Sequence, residues 1–244
     1  MEAPRAVLDL VERFDEHRDY YMSPAYNETQ LRCEFLNPLF GALGWDVDNA
    51  QNYSEQFRQV VHEDSIRIGG VVKAPDYSFR LGGRRLFFLE AKKPSVNLKE
   101  NPTSAYQLRR YAWTAKLPVS LLSDFEEFIV YDTRIKPAPG DKASAARVLY
   151  IPYTQYADRW GEIASLFSPQ AIQKGALDKY VESATKKRCK QMVQRTLDLH
   201  KQLQAANTDH ERRLLQRQVT ATDDESDHLV YELFYLTAED HAVV

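Results

Sequence analysis

Residues 75 to 92 of this 244-residue chain hold two carboxylates and a lysine in a pattern that could carry metal chemistry. Asp76 opens one β-patterned run, Glu90 and Lys92 close a second, and Gly82-Gly83 between them reads as a turn. Glu90 and Lys92 are two positions apart, so they project from the same face of a strand. If the runs pair as an antiparallel hairpin, the start of the first lies beside the end of the second, and Asp76, Glu90 and Lys92 converge. Two hard carboxylate oxygens suit Mg²⁺ or Mn²⁺. A cation bound beside a lysine can orient and activate water against a phosphodiester. The plainer reading is a surface hairpin with ordinary charges. Against it stands Phe87-Phe88-Leu89, a buried-type strand, because ending such a strand in Glu90, Lys92 and Lys93 is costly unless the charges are paired or metal-bound.

Several elements must position these groups. Val7, Leu8, Val11 and Phe14 form the stripe of an amphipathic helix over residues 5 to 20. Ser23-Pro24 breaks it, and Asn27 is an N-cap for a second helix running to Leu43 and stopping at Gly44, kinked or split by Pro38. Glu34 adjoins the apolar stripe of that helix, and periodicity alone makes it a boundary carboxylate. Residues 53 to 68 read as strand, turn and strand, with Glu63-Asp64 between. After the hairpin, residues 102 to 116 form a helix with Pro102 in its first turn. Gln107 and Tyr111, four apart, share one face of it. Two strands follow, 119 to 122 and 128 to 131, and residues 148 to 151 read as an edge strand.

The pairing of Pro75-Asp76 with Glu90-Ala91-Lys92 resembles the PD-(D/E)xK nuclease superfamily. Residues 28 to 47 look like the opening helix of the nuclease domain in type I restriction subunits and fused type II restriction-methyltransferases. The turn Leu122-Ser123-Asp124-Phe125-Glu126-Glu127-Phe128 resembles the strand pair of the same family. The likeness runs over about residues 5 to 190. It implies a mixed β-sheet flanked by helices, an α/β fold of restriction-endonuclease type with a C-terminal helical appendage. It also implies that Asp76, Glu90 and the Ala91 carbonyl bind Mg²⁺ or Mn²⁺, and that Lys92 positions or deprotonates the attacking water. By the same carry-over Glu34 supplies a further metal ligand, and Gln107 and Tyr111 hold Lys92 and the phosphate. The activity implied is metal-dependent DNA endonuclease action in a restriction-modification setting. DNA is then the substrate, and a separately encoded methyltransferase or specificity subunit a partner. A homodimer would supply the two active sites of a double-strand cut.

Composition is compatible with this reading. A hydrophobic fraction of 43% and a charged fraction of 27% are ordinary for a globular protein. No apolar run reaches the roughly 20 residues of a membrane span, and Glu2, Asp9, Glu12 and Asp15 stand where a signal peptide would be basic, then apolar. Cys33 and Cys189 lack metal-knuckle spacing and read as buried thiols of a cytoplasmic protein. Net charge is −3, but residues 80 to 116 carry nine Lys or Arg against Glu90 and Glu100, so positive charge gathers around the hairpin. Composition shifts after Ser168-Pro169, which divides the chain into residues 1 to 168 and a helical tail, 169 to 244. The tail has a basic stretch at 174 to 217 and an acidic one at 223 to 240. These 244 residues hold no Gly-rich cofactor loop and no Asn-Pro-Pro-Tyr-type motif of the kind an adenine methyltransferase needs. Two other classes stay open: a catalytically silent DNA-binding or assembly module of a restriction system, and an interaction protein working through its two-signed tail.

Overall fold

The computed structural model describes residues 1–68, 70–206 and 208–234, with the backbone alone at 68, 181, 184, 185, 188, 189 and 223–234. Cys189 and the acidic run 223 to 240 therefore have side chains outside the described residues. The described chain falls into two compact units, Met1–Val181 and Glu182–Val244.

The first unit opens with helix α1 (Arg5–Glu16), which buries Val7, Leu10 and Phe14, and a short α2 (Arg18–Tyr21). Asn27 then caps α3 (Glu28–Leu31) through a reciprocal bond with Gln30. Pro38 splits the expected single helix. Before it the backbone widens into a π-turn, Arg32–Leu36, and α4 (Asn37–Ala42) resumes with the proline in its first turn. The cause is local: Pro38 has no N–H to offer the Glu34 carbonyl four residues back, and its ring would crowd that oxygen. The Arg13 guanidinium donates to the freed carbonyl instead. Cys33, on this widened turn, is exposed rather than buried.

Six strands form the main sheet. They are β1 (Val60–His62), β4 (Tyr77–Leu81), β5 (Arg84–Ala91), β6 (Val119–Ser123), β7 (Glu127–Asp132) and β8 (Arg147–Pro152), in that spatial order. Only the β5–β6 pairing is parallel, because helix α5 (Pro102–Thr114) crosses over between those strands. The stretch expected as strand, turn and strand divides otherwise. β1 joins the main sheet, while β2 (Ile66–Ile68) pairs with β3 (Val71–Lys73) as a separate ribbon.

Each face of the sheet is covered. Phe79, Phe87, Leu89, Leu121, Phe128 and Val130 pack with residues of α1, α4 and α6 (Tyr156–Phe167). Phe88, Leu122, Ile129 and Tyr131 pack with Leu108, Tyr111 and Ala112 of α5. The architecture is thus α/β, a mixed sheet flanked by helices, with helices following it. The next helix, α7 (Pro169–Gln173), is capped by Ser168, and Ile172, Leu177 and Tyr180 pack against the first core. Helices α8 (Ala176–Ala205) and α9 (Asp209–Phe234) complete the chain's helices among the described residues.

One ion cluster ties the turn after β1 to the hairpin. Asp64, 7% exposed, accepts two bonds from Arg85 (2.7 and 2.8 Å) and pairs with Arg80 at 2.5 Å. Burial pushes its carboxyl up, but the hydrogen bonds from Arg85 and Arg80 overcome this and hold its pKa at about 2, below the ordinary 3.8. A lowered carboxyl contributes stability that is whole above its unfolded pKa and is lost as pH falls through the folded one. That contribution is about 2 kcal/mol, lost between roughly pH 4 and pH 2. Asp64→Asn is expected to lower stability at neutral pH by about 2–3 kcal/mol. It should also flatten the acid limb in urea melts at pH 7 and pH 3. An acid limb identical to that of the wild type would remove Asp64 from that role.

Candidate active site

The hairpin register brings the ends of its strands together as the pattern requires. Tyr77 pairs with Leu89, so Asp76, one residue before β4, lies opposite Glu90. Asp76 Oδ2 accepts the Ala91 N–H at 2.7 Å, which fixes the carboxylate against the end of β5. Glu90 is 3% exposed. Its Oε1 accepts from Lys92 Nζ at 3.0 Å and from the Gln107 amide, whereas its Oε2 is buried with no hydrogen-bond partner. Lys92 Nζ also donates to the Ala91 carbonyl at 2.6 Å. The ammonium therefore sits on two oxygens, Glu90 Oε1 and Ala91 O, that a metal would share.

The charges explain one another. Burial, then the neighbouring Asp76, pushes the Glu90 carboxyl up to about 7, with Lys92 pulling the other way. Burial also disfavours the Lys92 ammonium, but Glu90, Glu28 and Asp76 outweigh it, and its pKa is raised. A lysine in this state keeps its proton at neutral pH. In that state it can donate hydrogen bonds and stabilise negative charge.

Gln107 reaches the site, but its amide holds Glu90 rather than the lysine. Tyr111, one turn further along α5, is buried. Burial and then the charge of Glu90 raise its phenol pKa, which places it within electrostatic reach of the site.

Glu34 is not brought to this cluster. Its carboxylate accepts from Tyr26 OH at 3.4 Å. The helix acid that stands at the cluster is Glu28, whose Oε2 lies 3.8 Å from Lys92 Nζ. Burial raises the Glu28 carboxyl, Lys92 opposes it, and Asp76 adds to it. Arg32 completes this side. Its guanidinium lies 3.5 Å from Asp76 Oδ1, 3.2 Å from His62 Nδ1 and over the Tyr77 ring. On an α-helix Arg32 stands about 40° from Glu28, while Glu34 stands about 240° away, and the π-turn moves Glu34 again. Glu28, a first-turn acid beside the Asn27 cap, passes in the sequence for a helix-dipole residue.

The donor set fits a hard divalent cation. Glu90 Oε2 is an orphaned, buried acceptor, and the Asp76 carboxylate and the Ala91 carbonyl stand at the same strand ends. No cluster of three or more His, Cys, Asp or Glu able to hold a metal occurs among the described residues. A cation here would lean on the Ala91 carbonyl, water and substrate for its remaining ligands.

Over 171 residues, 69% of its length, the chain is 41% identical to the type II restriction enzyme and methyltransferase RM.Eco57I of Escherichia coli. It is similar to part of that protein. The matched residues amount to 17% of the relative, so the chain spans about a sixth of its length. No protein-family model matches the chain. No solved structure matches it. Among the described residues no helix is long and apolar enough to cross a membrane.

The exchange of Glu34 for Glu28 is open to measurement. In a calorimetric titration with Mn²⁺, Glu28→Gln is expected to weaken binding by about 10- to 100-fold, the usual cost of losing a group that supports a metal or its ligands. Glu34→Gln should leave binding within about twofold of the wild type. The reverse order of effects would return Glu34 to the site.

Proposed function

We propose that this chain is a metal-dependent DNA endonuclease of PD-(D/E)xK type acting in restriction-modification. The observation that carries the reading is the convergence of Asp76, Glu90, the Ala91 carbonyl and Lys92 at adjoining strand ends, with Glu90 Oε2 unpartnered. The similarity to a type II restriction enzyme and methyltransferase supports the same class. In this reading Asp76, Glu90 and Ala91 O hold Mg²⁺ or Mn²⁺, which supplies Lewis acidity at the phosphodiester and lowers the pKa of water. Lys92 donates to the phosphoryl oxygens as negative charge develops on them. Gln107 fixes the rotamer of Glu90, and Tyr111 walls the site. Glu28 and Arg32 set the charge around Lys92 and Asp76. DNA is the substrate. Methyltransferase and specificity functions lie outside the residues that build this site, and a homodimer supplies a double-strand cut.

Supercoiled plasmid incubated with the chain in Mg²⁺, Mn²⁺ or EDTA tests the proposal. Nicked or linear product with either metal, and none in EDTA, is the expected result. Plasmid left intact under all three conditions, with DNA binding retained, would overturn it in favour of a silent binding module.

A further inference from the structure

The hairpin has a second end, and it too gathers charge. Around the Gly82-Gly83 turn lies a cavity of about 590 Å³ whose cationic walls are Arg80, Arg84, Arg85 and Lys116, with Leu117 and Asp178 among the rest. From Arg84 to Glu90 is six residues of strand, roughly 20 Å, so this cavity is distinct from the candidate active site.

Its charges are not balanced from within. Asp64 is shared by Arg80 and Arg85, and Asp178 adds one carboxylate. Four cations thus face two anions. Arg84 and Lys116 are both exposed, and Arg80 Nε is buried without a hydrogen-bond partner. The walls are fixed rather than fluid. Asp64 clamps Arg80 and Arg85, and Gly83 lies so close to the Gln56 carbonyl that an added Cβ would stand 3.2 Å from it. Guanidinium forks held in place beside an exposed ammonium suit phosphoryl oxygens, which accept several charged hydrogen bonds at once. A surplus of two positive charges matches two phosphodiesters or one diphosphate esterified at both ends.

We propose that this cavity is a phosphate-binding site that takes two adjacent phosphoryl groups, from a polynucleotide backbone or from a free phosphate compound. The site stands apart from the endonuclease reading and does not depend on it.

Calorimetric titration of the full chain with inorganic pyrophosphate, in EDTA so that no metal enters the hairpin's other end, tests the assignment. Three proteins are compared: wild type, Lys92→Ala and the double variant Arg84→Gln/Lys116→Asn. Lys116 has φ of 56°, a conformation asparagine accepts well, so the double variant should fold. The wild type and Lys92→Ala are expected to bind alike, and the double variant to bind about 100-fold more weakly, roughly tenfold for each charged hydrogen-bond donor removed. A short duplex then separates the sources. If it competes with pyrophosphate, and its salt slope falls by about 1.8 in the double variant (two contacts at 0.9 each), the backbone is the ligand. If it does not compete, a free phosphate compound is. Equal pyrophosphate binding by the wild type and the double variant would overturn the proposal. So would the absence of pyrophosphate binding together with an unchanged duplex salt slope.

Discussion

Asp76→Asn is expected to weaken Mn²⁺ binding by on the order of 100- to 1000-fold, and to remove metal-dependent cleavage with it. The substitution keeps the shape of the side chain and can still accept the Ala91 N–H, so the strand ends stay joined. What it removes is a full negative charge. At about 4 Å and an effective dielectric near 20 that charge is worth about 4 kcal/mol to a monovalent neighbour, and a divalent ion draws more on it. A second effect acts in the same direction. Arg32 lies 3.5 Å from Asp76 Oδ1, and in the variant its charge is no longer offset beside the metal. Calorimetric titration of Mn²⁺ into both proteins gives the answer. Matching isotherms would take Asp76 out of the metal site and undo the convergence on which the proposed function rests.

Much of this site was legible because strand parity and a glycine turn are short-range rules. Gly82-Gly83 sets the hairpin, the hairpin sets Asp76 against Glu90, and a period of two puts Lys92 on the same face as Glu90. A mixed sheet was implied by the family resemblance alone; the parallel β5–β6 pair with α5 crossing over is what the structure adds, and it delivers Gln107 to Glu90. What stayed hidden depended on backbone events that periodicity does not encode. Pro38 was expected to kink or split its helix, but not to widen the preceding turn into a π-turn or to hand the Glu34 carbonyl to Arg13. The six-residue offset sets Glu34 on another face from Glu28, where it meets Tyr26, and Glu28 lies beside Lys92. The partner of Gln107, Glu90 in this structure, was hidden for a different reason. Whether an amide meets an ammonium or a carboxylate depends on which neighbour lacks a donor, and Glu90 had oxygens to spare. The pairing of β2 with β3 was not legible because these strands are three residues each, too short to show alternation.

Lys92→Ala should separate chemistry from metal binding. In the metal-free protein the ammonium holds Glu90 Oε1 at 3.0 Å and the Ala91 carbonyl at 2.6 Å, so an incoming cation competes with it for both oxygens. Truncation frees them and removes a positive charge from the site. Mn²⁺ binding is therefore expected to be retained or tightened, by up to about tenfold. Cleavage should nevertheless fall by roughly 10³-fold, the cost of losing a charged donor aimed at the developing negative charge of a transition state. Lys93→Ala is the control. Lys93 is exposed, and the alternation of the strand sends it away from Glu90, so its loss should change cleavage by no more than about twofold. The metal-free stabilities give an independent reading. Without Lys92 the buried Glu90 carboxylate loses its nearest countercharge, so Lys92→Ala should melt below the wild type in EDTA and regain more stability than the wild type when Mn²⁺ is added. A variant that lost Mn²⁺ binding together with cleavage would make Lys92 a prop of the metal site rather than a group acting on the phosphate. A variant that cleaved normally would remove the lysine from the mechanism.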